Sequence, residues 1–166
     1  MSAASKSPAA ENSGGRSAVA IVGLEPRLHG WLAARLEAAL AFLNAGGEVR
    51  VRVVDDAAMA EAHVKYSGVA GTTDVLTFNL AENDNLDVDI LVCRDEAVRQ
   101  AAARGHGIDR ELLLYAVHGV LHCLGHDDHD EAGAARMHTE EDRILEAIGV
   151  ARTYATGGSG GGGGGG

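Results

Sequence analysis

The change from strand-like to helix-like sequence occurs within residues 88–125, which read VDILVCRDEAVRQAAARGHGIDRELLLYAVHGVLHCLG. The first six of these residues form a short, apolar, β-branched run that is typical of a strand. After this run the apolar residues recur at helical spacing, which predicts helices over about 95–104 and 109–124. Asp109 is the expected N-cap of the second helix, and Gly125 is its expected C-terminal stop.

The rest of the chain adds more strands before this stretch and one more helix after it. The remaining predicted strands cover residues 18–24, 48–54 and 75–78. The remaining predicted helices follow Pro26, run from Asp55 to His63, and cover about 130–148. Strands come first and helices last, and the second half does not alternate strand with helix. The pattern therefore predicts the α+β class, with a small mixed sheet of about four strands packed with about five helices.

The two ends of the chain differ in composition from its middle. Residues 1–16 are small and polar without apolar periodicity, and residues 157–166 hold nine glycines and one serine. Neither end has the apolar residues that a packed core requires. We therefore expect a disordered N-terminal segment, a single folded domain over residues 17–156, and a flexible glycine-rich tail.

The sequence has no feature typical of a membrane or secreted protein. No stretch approaches the ~18–20 consecutive apolar residues of a membrane helix, and the N-terminus lacks the apolar region of a secretory signal. Cys93 and Cys123 lie in apolar surroundings and are expected to be buried, reduced thiols. These observations predict a cytoplasmic protein with no membrane partner.

The net charge restricts how the protein can bind a polyanion. Its 14 basic and 24 acidic residues give a formal net charge of −10, and aromatic residues make up 4% of the chain. Such a protein does not hold a long nucleic acid through overall charge or a base-stacking platform, so any phosphate substrate needs a local cation. Arg50 and Arg52 share one face of a predicted strand, and the sequence leaves open whether that face borders a cleft.

Four of the eight histidines lie in residues 118–129, which read HGVLHCLGHDDH. His118 and His122 are four residues apart on a predicted helix, so both imidazoles project from one face and can bind one cation. Gly125 allows the chain to turn back sharply after the helix. The candidates for a third ligand are then His126, Asp127, Asp128 and His129.

Three protein ligands with an open fourth position are typical of a catalytic zinc site. The spacing alone does not select zinc over nickel, cobalt or manganese. Cys123 is expected to point away from the histidine face and to pack in the core.

These residues resemble the YbeY family of metal-dependent endoribonucleases, the rRNA maturation factors of bacteria. The family signature H-G-x-L-H-L-x-G-Y-D-H corresponds to residues 118–128. A second family block, Y-R followed by T-D-V-L-S-F, corresponds to Tyr66, Ser67 and residues 73–78, and the family's G-D-I strand resembles residues 88–90. The resemblance extends from about Glu48 to Ile148.

The resemblance implies a fold and an activity. The fold would be zincin-like, and the activity would be that of a single-strand-specific, zinc-dependent endoribonuclease with one Zn²⁺ per chain. Water activated by the metal would hydrolyse an RNA phosphodiester. The family also implies a role in rRNA maturation, including 16S rRNA 3′ end processing, and in ribosome quality control. The expected partners are an rRNA precursor and the small ribosomal subunit, and not DNA.

The resemblance also implies roles for individual residues. His118 and His122 would be the catalytic metal ligands, and Asp128 stands where the family has its third metal histidine, with His129 as the alternative. The substrate-binding residues carried over, or placed beside those carried over, are Lys65, Ser67, Thr73, Asp74 and Thr77. Ser67 replaces a family arginine thought to face the active site, so another cation, such as Lys65, would have to supply the positive charge.

Two alternative functions remain open at this stage. A helical H-x-x-x-H also occurs in zinc metalloproteases, but these carry a glutamate base directly after the first histidine. Gly119 occupies that position and has no side chain to accept a proton, which disfavours proteolysis. Ser67 supports the other alternative, a metal-stabilised ribosome assembly or RNA-binding factor with weak or no catalysis.

Overall fold

The computed structural model describes residues 15–151 and Thr153. The expectations for most of the N-terminal segment and for the glycine-rich tail lie outside these residues. The elements in chain order are β1 (Ser17–Val22), α1 (Pro26–Phe42), β2 (Gly47–Val54), α2 (Asp56–Ser67), β3 (Val75–Asn79), β4 (Leu86–Cys93), α3 (Arg94–Arg104), α4 (Ile108–Cys123) and α5 (Glu131–Ala147).

The four strands form one mixed sheet in the order β1-β2-β4-β3. β2 pairs parallel with both β1 and β4, whereas β3 pairs antiparallel with β4 at the edge of the sheet. This arrangement confirms the predicted α+β class. No helix within the described ranges combines the length and apolar character needed to cross a bilayer.

One face of the sheet is apolar and the other is charged, because side chains alternate along each strand. Val49, Val51 and Val53 of β2 are buried in the core together with Val88, Ile90 and Val92 of β4. Arg50 lies on the opposite face, where its guanidinium pairs with Glu48, Asp87 and Asp89. The sheet therefore separates Arg50 and Arg52 from the helices that pack on the apolar face.

The helix ends follow local sequence signals with two differences from prediction. Asp55 caps α2 as predicted, accepting a hydrogen bond from Ala58 N–H at 2.8 Å, but the helix continues past His63 to Ser67. α4 begins at Ile108 with Gly107 as its N-cap, so Asp109 lies inside the first turn. There the Asp109 carboxylate accepts from Arg110 N–H.

α4 is the central helix of the molecule. It contacts α1, α3, α5, β3 and β4. Its buried apolar side chains include Leu112, Leu113, Leu114, Val117, Val120 and Leu121. At Gly119 the helix approaches the sheet closely, since a Cβ there would lie 2.7 Å from Thr77 Oγ1 and 3.0 Å from Ile90 Cδ1. The flanking histidines are thereby held beside the edge strand β3.

Candidate metal centre

The last turn of α4 carries two histidines whose rings converge. His118 and His122 have ring centroids 4.5 Å apart, with the ring planes at 80°. Their Nε2 atoms are 2.9 Å apart. The two lone-pair positions are thus directed at the same small volume, as the four-residue spacing predicts.

The chain turns back after α4 and brings a carboxylate to this pair. Gly125 has a φ of +97°, the left-handed conformation that glycine adopts without steric cost. Asp128 then lies with Oδ2 3.4 Å from His118 Nε2 and Oδ1 3.5 Å from His122 Nε2. Asp130, two residues later, caps α5 by accepting from Gly133 N–H at 2.6 Å, which anchors the far end of the loop.

The donor atoms of His118, His122 and Asp128 fit a tetrahedral cation. Their ligand atoms all lie within 4.8 Å of one another. A tetrahedral zinc ion with bonds of ~2.1 Å places its ligand atoms about 3.4 Å apart. The two Nε2 atoms are 2.9 Å apart, and each lies 3.4 or 3.5 Å from a different oxygen of the Asp128 carboxylate. Two imidazoles and one carboxylate leave the fourth position open, and such a set is compatible with several divalent metals.

The other proposed third ligands lie elsewhere. His129 is 87% exposed, and its Nδ1 contacts the Asp127 carboxylate instead. His126 lines a different cavity with Arg136 and Glu140. Asp127, Asp128 and His129 also form a second group of potential ligands, but all three are exposed. The structure therefore brings Asp128, rather than His129 or His126, to His118 and His122.

Glu141 is a residue of this site that sequence reasoning missed. A run of acidic residues on a helix is typical of a solvated face, but Glu141 and Asp142 are both buried. Glu141 Oε1 lies 2.5 Å from His118 Nδ1. The signal was present in the spacing, because position 141 shares a helical stripe with Met137, Ile144 and Leu145.

Burial and the Glu141 carboxylate act in opposite directions on His118. Burial lowers the pKa of the His118 imidazole, but the hydrogen bond and charge of Glu141, together with nearby carboxylates, outweigh it, so the pKa lies above its usual value. Asp128 and Asp74 act in the same direction as Glu141. The metal-free site is therefore electronegative and attracts a positive charge.

Two cavities meet at this centre. One, of about 410 Å³, runs along β3 and includes Asp74, Thr77, Asn79, His118 and His122 in its lining. The other, of about 490 Å³, includes Thr73, Asp74, Gln100, Arg104, His118 and Asp128. Because Asp74 and His118 border both, an extended ligand that lies across the centre can occupy the two cavities together.

The five residues that the family resemblance assigns to substrate binding fall into two groups. Thr73, Asp74 and Thr77 border the cavities, whereas Lys65 and Ser67 are absent from both linings. The Ser67 hydroxyl donates to the His63 carbonyl at 2.6 Å, and Lys65 Nζ lies 5.2 Å from the centre of the Tyr66 ring. Lys65 therefore does not stand in for the family arginine beside the histidines.

The two cavities are lined by more acidic than basic side chains. Asp74, Asp128 and Glu96 contribute carboxylates to the linings, and Arg104 is the one Arg or Lys side chain among the described lining residues. The Arg104 guanidinium pairs with the fully buried Glu111 at 2.9 Å. A phosphate that enters here thus needs positive charge from a bound cation.

The thiols are free, but one is not placed as expected. Cys93 and Cys123 are both unpaired by disulfide, and Cys93 is buried, as predicted. Cys123 is only partly buried, and it lines the β3 cavity with His118 and His122 instead of pointing away from them. It directly follows His122 at the end of α4, where the cleft meets the core. Burial raises the pKa of the Cys123 thiol, so it is not a thiolate nucleophile.

Comparison with known proteins gives a consistent set of similarities. The family model described as endoribonuclease YbeY matches residues 21–149. A protein of Moorella thermoacetica named endoribonuclease YbeY is 42% identical over 131 residues, covering 70% of this chain and 84% of the relative. A protein of the same name from Desulfitobacterium hafniense is 39% identical over 116 residues, covering 63% and 74%.

A solved structure resembles the whole fold. The solution structure of a protein from Thermotoga maritima superimposes with a TM-score of 0.61 at 26% sequence identity. The match covers 79% of this chain and 89% of the other. The chain thus shares its fold with a protein whose structure is known from experiment.

Proposed function

This chain belongs to the YbeY family of endoribonucleases, and from that premise we propose that it cleaves RNA at the centre formed by His118, His122 and Asp128. It is a hydrolase of RNA phosphodiester bonds. The observation that carries the assignment of the site is the convergence of three donor side chains where two cavities meet. A single RNA strand that crosses the centre has one cavity on each side of the scissile phosphate.

A divalent cation held by these three side chains would polarise a phosphoryl oxygen and lower the pKa of water, which are the two needs of phosphodiester hydrolysis. His118 and His122 supply neutral nitrogen donors, and Asp128 supplies one negative charge. The close packing of α4 on the sheet at Gly119 fixes both imidazoles before substrate arrives. This rigidity holds the donors in position without rearrangement during the reaction.

Asp74 is the proposed contact to the sugar of the substrate. One of its carboxylate oxygens, Oδ1, accepts from Val75 N–H at 2.8 Å and lies 3.3 Å from the Thr73 hydroxyl, so the side chain is held in place. Asp74 borders both cavities beside His118. A fixed carboxylate accepts a hydrogen bond from a ribose 2′-hydroxyl, a group that DNA lacks. Thr77 offers a hydroxyl from the neighbouring wall of the β3 cavity.

The metal and the single-stranded substrate are proposed from the donor set and the cavities, and the biological role is proposed from the family. The metal is Zn²⁺, one per chain, because a site of two histidines and one carboxylate with an open position is typical of catalytic zinc. The substrate is single-stranded, since the two cavities accept separate nucleosides rather than a stacked duplex. We further propose rRNA precursors as substrates, with 16S rRNA 3′ end processing, ribosome quality control, the small ribosomal subunit as partner and a cytoplasmic location.

The protease alternative is disfavoured by position 119. A glutamate there would serve as general base in a zinc protease, but this chain has glycine at the point where α4 meets Thr77 and Ile90. The alternative of a non-catalytic assembly factor draws on Ser67, whose hydroxyl is bonded to its own helix. The first experiment below separates that alternative from catalysis.

Removing the metal is expected to abolish RNA cleavage. The purified protein should contain close to one zinc per chain by mass spectrometry and should cleave a single-stranded RNA. Treatment with a chelator should stop cleavage and added Zn²⁺ should restore it, because Arg104, the one Arg or Lys among the described lining residues, is paired with Glu111. A DNA strand and an RNA duplex of the same sequence serve as controls and should stay intact. Zinc binding without any cleavage would support the assembly-factor alternative instead.

Replacing Asp128 with alanine is expected to weaken Zn²⁺ binding at least ~100-fold, because the third donor is lost and the two histidines remain. Competition with a chromophoric chelator measures the affinity. Asp128→His, which restores the residue of the family signature, should keep the affinity within about tenfold of the original. The matched control is His129→Ala in the same loop, which should leave the affinity unchanged. Loss of binding in His129→Ala but not in Asp128→Ala would transfer the ligand role to His129.

A further inference from the structure

We propose that Glu141 is a positioning residue that fixes the ring orientation and tautomer of His118 and thereby sets the affinity of the centre for its metal. This inference rests on the metal site of the proposed function and adds to it a residue outside the donor set. Glu141 comes from α5, whereas both histidines come from α4. The metal centre is thus linked to α5 through Nδ1 of His118, the ring nitrogen that does not face the other donor atoms.

The contact dictates which nitrogen of His118 carries the proton. Glu141 Oε1 lies 2.5 Å from His118 Nδ1. A carboxylate only accepts hydrogen bonds, so Nδ1 is the donor and holds the proton. In the neutral ring the lone pair then belongs to Nε2, the atom 2.9 Å from His122 Nε2 and 3.4 Å from Asp128 Oδ2. Without Glu141, the neutral ring can also adopt the tautomer that carries its proton on Nε2 and so presents an N–H to the metal.

Folding stability does not explain the presence of a glutamate at position 141. Its side chain is fully buried, and Oε2 has no hydrogen-bond partner among residues 15–151 and 153. Burial of a carboxylate with one oxygen unsatisfied costs free energy, and an apolar residue of similar size is often more stabilising at such a place. The neighbours of Glu141 on the same stripe are Met137, Ile144 and Leu145, all buried. A carboxylate in that row therefore indicates a function.

The charges also balance around a divalent cation. Asp128 and Glu141 each bring one negative charge to His118, one from either end of the ring. A divalent cation at the donor atoms neutralises both charges, and the charge of Glu141 is fully buried, where an unpaired charge is costly. Hydrogen bonding to a carboxylate also makes the imidazole a stronger electron-pair donor to a metal ion.

The test compares Zn²⁺ affinity with folding stability in the full chain. Glu141→Gln keeps a carbonyl acceptor for Nδ1–H but loses the charge, and Glu141→Met loses both. We expect Zn²⁺ binding, measured by chelator competition, to weaken roughly 10–100-fold in Glu141→Gln and further in Glu141→Met. The metal-free thermal midpoint should stay equal or rise in Glu141→Met. Glu140→Gln is the matched control, because Glu140 pairs with Arg143 outside the centre and the same charge is removed.

Nitrogen-15 NMR of the imidazoles gives a second readout. In the metal-free original protein at high pH the His118 ring should show a protonated Nδ1, and in Glu141→Met it should show a mixture of tautomers. The proposal would be overturned by a Zn²⁺ affinity of Glu141→Gln and Glu141→Met within twofold of the original, or by equal losses of affinity in Glu140→Gln. Affinity that falls only in step with the thermal midpoint would also overturn it, by indicating a purely structural role. The test does not measure RNA cleavage. The proposed function can therefore be wrong while the expected differences in Zn²⁺ affinity between the variants are still observed.

Discussion

Replacing His122 with alanine is expected to reduce RNA cleavage about 1000-fold or more, which corresponds to about 4 kcal/mol of transition-state stabilisation. The two Nε2 atoms of His118 and His122 are the closest pair in the donor set, and removal of one leaves a single imidazole and Asp128. Two donors do not hold a catalytic metal at ordinary free-metal concentrations. The kcat/KM for a short single-stranded RNA, measured with and without added Zn²⁺, gives the loss.

The matched control for this change is His126→Ala. His126 is the next histidine along the chain, yet it lines another cavity, so its removal should leave kcat/KM within about twofold. High Zn²⁺ should partly restore cleavage in His122→Ala if the loss lies in metal binding. Cleavage by His122→Ala within tenfold of the original, with its metal content unchanged, would place the reaction at another site.

Replacing Gly119 with glutamate is expected to lower the free energy of unfolding by about 3 kcal/mol or more and to create no protease. The change produces the sequence H-E-x-x-H of zinc proteases. In this chain, however, even a Cβ at position 119 would lie 2.7 Å from Thr77 Oγ1 and 3.0 Å from Ile90 Cδ1. The new carboxylate would be forced into the contact between α4 and the sheet. Urea unfolding and a peptide-cleavage assay measure the two expectations.

Gly30→Glu is the control that separates this packing effect from the general effect of replacing a helical glycine. Gly30 lies in α1, and a Cβ there meets nothing within 4 Å in the described part of the chain. Glycine inside a helix is less favourable than most residues, so Gly30→Glu should be neutral or stabilising by up to about 1 kcal/mol. A Gly119→Glu protein as stable as Gly30→Glu would show that α4 does not need its close approach at Gly119.

The α+β class, the number of strands and the histidine pair follow from local patterns in the sequence. Alternating residues in 48–54 and the apolar run 88–93 depend only on neighbours along the chain, and both correspond to strands. The spacing of His118 and His122 depends only on helical geometry within α4. The Asp55 cap and the Gly125 turn are equally local, since each involves residues at most a few positions apart.

The placement of several candidate site residues could not be predicted from the sequence near them, because it depends on how separate helices and strands pack together. The loop after Gly125 allows each of its polar residues a different direction, and only the packing of α4 against α5 places Asp128 at the histidines. Lys65 and Ser67 belong to α2, and neither lines the two cavities, although Ser67 aligns with a family arginine thought to face the active site. Arg50 and Arg52 follow the alternation of β2, but which face the helices cover is decided by the sheet as a whole.

The sequence by itself determined the order of elements and a metal-binding pair, because both arise from residues close together along the chain. Only the tertiary structure decided the environment of that pair: the carboxylate of Asp128, the buried Glu141 behind His118 and the two cavities that meet at Asp74. The physical reason is that helical spacing can place Glu141 on the apolar stripe of α5 but cannot identify the side chain that it meets on another helix. Its burial and its partner, 23 positions away in the chain, exist only once α5 packs on α4.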